Sequence, residues 1–200
     1  LNKSWMISLF TSFIMLGGVL LSPAASANAA NEPTSTYSDQ SYSDDAEHFS
    51  EELMDETEYE LTADQKEFEQ YLEKVFALES YETKAMDALE SVGSQVTSAN
   101  RKSMYLKLTN TVIPNYTKLV SKAKQIKPIH PELKKIHAYF VKGSYLQLEG
   151  YLLYKQAVSK NKVNYTILKQ GSAKVKAGGD LINQCEQYLY AYARNLGYDF

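Results

Sequence analysis

The stretch Ile126-Lys-Pro-Ile-His-Pro-Glu-Leu133 decides the architecture. Pro128 ends one helix and Pro131 opens the next, because proline suits the first helical turn and not the interior. The run that follows, Leu133 to Val158, is apolar and rich in aromatics, and it predicts the central helix of a bundle. Leu133, Ile136, His137, Phe140, Gly143, Ser144, Gln147, Leu148, Tyr151, Tyr154 and Val158 cover one broad face of it. Gly143 and Gly150 share a side. Glycine inside a helix costs ~1 kcal/mol against alanine, so two on one face predict the close approach of a neighbouring helix.

That neighbour lies C-terminal. Asn164 is the predicted N-cap, with Val163 and Leu168 as a hydrophobic staple, and Gly197 closes the helix in a left-handed conformation. Gly171 and Gly178 repeat the spacing of the first glycine pair. N-terminal to the opening stretch, Met104, Leu108, Val112, Tyr116, Leu119, Ala123 and Ile126 predict a helix from about Arg101 to Lys127. Pro114 lies inside it and removes a hydrogen bond to the Asn110 carbonyl, which predicts one bent helix with a local break near Asn110 to Ile113. Before that, Thr62-Ala-Asp-Gln65 reads as a capping box. Tyr71, Val75, Leu78, Glu82, Ala85, Leu89, Val92 and Val96 extend a seam at steps of four and three, with Glu82 the misfit. Nothing reads as a strand. Four helices of similar length, each about 40–52 Å, joined by short connections, predict an all-α, up-down-up-down antiparallel four-helix bundle over 61–200.

The remaining residues carry other signals. Lys3, the apolar Met6–Leu21 and the small residues Ala25-Ser-Ala-Asn-Ala29 predict a secretory signal peptide over 1–29. Its apolar core is too short to span a bilayer. Cys185 is the single cysteine, so there is no disulfide framework, and no lipid-bearing cysteine follows the apolar run. The mature protein is therefore expected to be secreted, without a transmembrane segment and held to the envelope non-covalently at most. Between 30 and 60 the chain carries eleven Asp or Glu and no Lys or Arg, which predicts a disordered acidic tail.

The run Val112-Ile-Pro-Asn-Tyr116, with Ile126-Lys-Pro128, Pro131-Glu-Leu133, His137, Tyr139 and Gly143, resembles secreted or lipoprotein helical-bundle proteins of unknown function from Gram-positive bacteria. The resemblance covers about Thr111 to Leu196. It implies a bundle in a cell-envelope setting and carries over no catalytic or binding residue.

The chemistry-bearing residues point away from catalysis. His130 and His137 lack partners at ligand spacing, and Cys185 has no second cysteine, so no metal or other cofactor is expected. There is no nucleophile elbow and no phosphate loop. Glu82, Glu149 and Glu186 lie on or near three seams, where each is expected to meet a lysine or a tyrosine hydroxyl.

Charge is the sharpest signal. Arg101 to Lys176 holds sixteen Lys or Arg against Glu132 and Glu149, a net of about +14. Lysine dominates, which suits diffuse attraction to an anionic polymer or lipid surface. Lys118, Lys122, Lys124, Lys134, Lys135 and Lys142 are the candidate basic face. Extracellular placement argues against nucleic acid. The expected function is a non-enzymatic binding module at the bacterial envelope, partnered by an anionic cell-wall polymer or membrane surface. The acidic tail would act as a weak internal shield for that face. The alternative is a sensor-like or carrier bundle with a small ligand in a seam lined by Tyr151, Tyr154, Tyr188 and Tyr192.

Overall fold

A computed structural model describes residues 60–198 and the backbone of Ser22–Pro23. The expected leader over 1–29, apart from those two residues, and the acidic tail over 30–60, apart from Glu60, lie outside the described residues. The elements are α1 (Ala63–Phe76), α2 (Glu79–Glu90), α3 (Arg101–Lys107), a π-helical turn (Leu108–Val112), α4 (Ile113–Ala123), α5 (Pro131–Val158) and α6 (Tyr165–Asn195). They make four helical segments around one core: α1 with α2, α3 through α4, α5, and α6.

The first segment departs from the single helix expected. The chain kinks at Ala77 and Leu78, where Leu78 N–H reaches only to the Val75 carbonyl and no side chain caps α2. No glycine or proline marks that kink, and the seam runs through it undisturbed. The helix also stops at Glu90, so Val92 and Val96 are not helical. Gly93, at φ +87°, turns the chain out. Asn100 then holds the loop: its side-chain oxygen accepts from Thr97 N–H at 2.8 Å, and its amide donates to the carbonyls of Val92 and Gln95 at 3.2 and 2.7 Å. Val96 is buried all the same, reached from the loop. The expectation of no strand is corrected too. β1 (Ser22–Pro23) pairs in parallel with β2 (Gln95–Val96), two residues each.

The second segment is continuous from Arg101 to Ala123 and ends one turn before Lys127. Its local break is the π-helical turn, in which Ile113 N–H donates to the Leu108 carbonyl, five residues back. The seam explains that turn. Met104, Leu108, Val112 and Tyr116 are all fully buried, and they follow one another at three successive steps of four. Each such step drifts about 40° around a regular α-helix, so three would carry Tyr116 off the core. A π-turn adds about one residue to the turn and absorbs the drift. Pro114, which has no N–H to offer, sits where the regular bond would be lost anyway.

The α5–α6 pair is built on glycine. A Cβ on Gly143 would stand 2.7 Å from the Gly178 carbonyl oxygen, and one on Gly150 2.8 Å from that of Gly171. Residue numbers rise along one helix as they fall along the other, so the two run in opposite directions with backbones touching. Caps fix the ends. The Thr62–Gln65 box is formed in both directions, at 2.8 and 3.2 Å, and Asn164 accepts from Ile167 N–H at 3.1 Å. Gly197, at φ +86°, closes α6 in a Schellman arrangement, with Tyr198 N–H on the Ala193 carbonyl. Arg101 donates to the Val158 carbonyl at 2.7 Å and so caps α5.

Candidate functional site

The end of α4, the turn 124–130 and the first half of α5 lie at one end of the bundle. Glu67 of α1 pins that turn: its carboxylate accepts from the backbone N–H of Ile129 and, at 2.8 Å, of His130. His130 caps α5 by accepting from Glu132 N–H at 3.2 Å, and its ring packs on Tyr192 with centroids 5.2 Å apart. Beneath, His137 bridges three segments. Its Nε2 meets the Ala123 carbonyl at 2.9 Å and its Nδ1 meets the Tyr71 hydroxyl at 3.3 Å. Burial holds this imidazole below its ordinary pKa, so it is a neutral structural strut.

Five of the six lysines expected on a basic face gather around this frame, and all six are exposed. Lys135 and Lys142 line a groove of ≈ 950 Å³ between α5 and α6, with Tyr139 and Tyr188 on its wall and Glu132 as its one carboxylate among the described residues. Lys124, Lys134 and Lys142 line a second groove of ≈ 700 Å³ on the α4 side of α5, with Lys127 and Tyr145. Lys122 lines a third hollow, sharing Lys127 and adding Lys74 of α1. Among the described residues, neither the second nor the third has a carboxylate in its wall. Lys118 is exposed on α4 but lines none of the three. Lysines cover tyrosine rings here: Lys124 stands 4.9 Å from the centre of Tyr145, and Lys122 5.9 Å from that of Tyr81. Cation–π contact of this kind is worth ~0.5–1 kcal/mol at an exposed site. Among the described residues the ion pairs are Lys174–Glu149 and Lys176–Asp180, so no lysine of this end is neutralised by a described carboxylate.

Of the four tyrosines expected along a ligand seam, Tyr151 and Tyr154 meet, with ring centroids 6.2 Å apart, but all four do not line one groove. Tyr151 and Tyr154 are fully buried in the core, where Tyr151 packs edge-on against Tyr116 and Tyr154 donates to Ser172 at 3.1 Å. Tyr192 is buried against Phe68. Tyr188 is half-exposed, its ring tilted against that of Tyr139 with centroids 5.4 Å apart, and alone of the four lines a described groove.

The buried polar groups offer little chemistry. Glu149 meets a lysine, as expected of a seam carboxylate. Glu186 keeps one buried oxygen without a partner. Glu82 is buried beside Tyr116 and Tyr151, and desolvation pushes its carboxyl up to about 8. Burial also pushes the Cys185 thiol up to about 12, which keeps it protonated and inert. No group of three potential metal ligands occurs among the described residues, and none of their helices is long and apolar enough to cross a membrane.

Comparison of this chain with protein-family models, with curated proteins and with solved structures finds no match in any of the three.

Reading the sequence missed Lys74, Lys127, Tyr81, Tyr139 and Tyr145 as members of this face. Lys127 had a signal, since it stands in the very turn that orders the fold. Lys74 had none: it belongs to the acidic half of the chain and arrives only through packing.

Proposed function

We propose that this protein is a non-enzymatic binding module of the bacterial cell envelope, whose lysine–tyrosine end holds a phosphate-bearing anionic partner. The observation that carries this is the pooling of Lys122, Lys124, Lys127, Lys134, Lys135 and Lys142 around grooves whose described walls contain one carboxylate, Glu132. Mobile ammonium groups on a rigid frame give diffuse, salt-sensitive attraction. Export by an N-terminal leader belongs to the same reading and would bring this end to phosphate-rich wall polymer and lipid heads. We also read the four segments as an up-down-up-down bundle. Contacts of Ala123 with His137 and of Tyr116 with Gln147 support that order for α4 and α5, as do those of Gln65 with Leu196 and Phe68 with Tyr192 for α1 and α6.

The test is a titration of the protein with a soluble phosphoglycerol polymer over a range of salt. Replacing Lys124, Lys134 and Lys142 together by glutamine should weaken binding at least tenfold at low salt, since each lysine contributes up to about 1 kcal/mol near an anionic surface. Equal affinity in parent and triple variant would reject the reading.

A second reading is a carrier, supported by the size of the α5–α6 groove, ≈ 950 Å³, which matches small-ligand sites. Its tyrosine wall would be Tyr139 and Tyr188. Native mass spectrometry of protein from its own host would reveal a retained small molecule.

A further inference from the structure

Building on that reading, we propose that the partner of the lysine end is an anionic phospholipid bilayer, and that the turn 127–130 enters its headgroup layer with Ile129 as the inserted side chain. Ile129 is 78 % exposed, the most exposed large apolar side chain among the described residues. A scattered surface isoleucine is ordinary, but this one is presented by a fixed frame. Pro128 and Pro131 bracket it, and Glu67 accepts from its own N–H and from that of His130. The backbone is therefore committed to holding the side chain outward.

Its surroundings fit the interface of a bilayer. Lys127 stands two residues before it, and Lys124 and Lys134 line the groove beside Pro128. Tyr145, 45 % exposed under the Lys124 ammonium, has the amphipathic ring that favours headgroup depth. A bilayer offers a layer of phosphates over an apolar layer, and this end offers ammonium groups around an apolar tip. A soluble polyanion could engage the lysines but would leave Ile129 in water. Neither component suffices alone, because stable attachment to a bilayer takes two signals. Glu132 and Glu67, whose carboxylate holds the Ile129 and His130 N–H groups, oppose approach, while the α4 side of α5 is without a lining carboxylate among the described residues.

The experiment uses the full chain with vesicles of phosphatidylcholine alone or mixed with phosphatidylglycerol. The unsubstituted chain, Ile129→Ser and Ile129→Trp are compared, so that any contribution of the N-terminal apolar segment cancels. Ile129→Ser should bind mixed vesicles about tenfold more weakly, a loss of ~1.4 kcal/mol, while its binding to soluble phosphoglycerol polymer is unchanged. The fluorescence of Ile129→Trp, taken as a difference from the parent, should shift to the blue with mixed vesicles only. Salt-sensitive vesicle binding that is indifferent to Ile129, with no spectral shift, overturns the insertion and leaves the basic-face reading standing. Equal binding to neutral and mixed vesicles, together with no binding to the polymer, overturns both.

Discussion

Glu82 occupies a seam position between Leu78 and Ala85, with 6 % of its surface exposed. In the sequence it is visible as a misfit, but its lack of a lysine partner among the described residues is not, because partners depend on which segments meet there. An ordinary glutamate titrates near 4.5, whereas burial holds this one near 8. Between those values the unfolded chain releases a proton that the folded chain retains, so stability falls as pH rises through the window. The slope is at most about 1.4 kcal/mol per pH unit. Glu82→Gln should remove that slope, and the variant should gain on the parent steadily from pH 5 to pH 8 in urea unfolding. A constant difference across this range would show that Glu82 ionises freely in the folded protein. His137 acts on the other side: its lowered pKa makes acid destabilising below about 6.5, where the unfolded imidazole takes up a proton. Cys185 should resist a thiol reagent at neutral pH until denaturant is added, as a buried thiol held near 12 requires. Rapid labelling of the native protein would refute its burial.

The α5–α6 pair was the most legible element of the fold. Its prolines, its Asn164 cap, Gly197 and four glycines in matching register all act locally or across one interface. The π-turn was half legible. Pro114 announced a break, but only the burial of Met104, Leu108, Val112 and Tyr116 together explains its form. The kink at Ala77–Leu78 was illegible, since no residue there forbids a helix and packing alone decides. Gly178→Ala tests the glycine interface. Its Cβ would lie 2.6 Å from the Gly143 carbonyl oxygen and 2.7 Å from Gln147 Cγ, and overpacking of this kind costs ~1–3 kcal/mol. The helix-propensity gain of ~1 kcal/mol offsets part of that. The variant should melt several degrees lower, given ~2–4 °C per kcal/mol for a chain of this size. A raised Tm would mean that the two backbones are not in contact.

At the scale of the whole molecule, charge read along the chain and charge placed in space differ. The basic span from Arg101 to Lys176 is one block in sequence, yet folding divides it. Lys122 to Lys142 collect at the α4–α5 turn, while Lys160 and Lys162 line a separate hollow near the start of α6. Lys74 joins the first group from outside the block. Five of the six lysines singled out in the sequence line these hollows, and Lys118 does not. Chemical-shift mapping of the isotope-labelled protein during titration with a soluble phosphoglycerol oligomer tests whether the lysine end is where the anion binds. Salt-sensitive shifts are expected to concentrate at the amides of Lys122 to Lys142 and at Lys74, with Tyr151 and Tyr154 unmoved. Shifts centred on Lys155 to Lys169, or spread evenly over every exposed lysine, would contradict it.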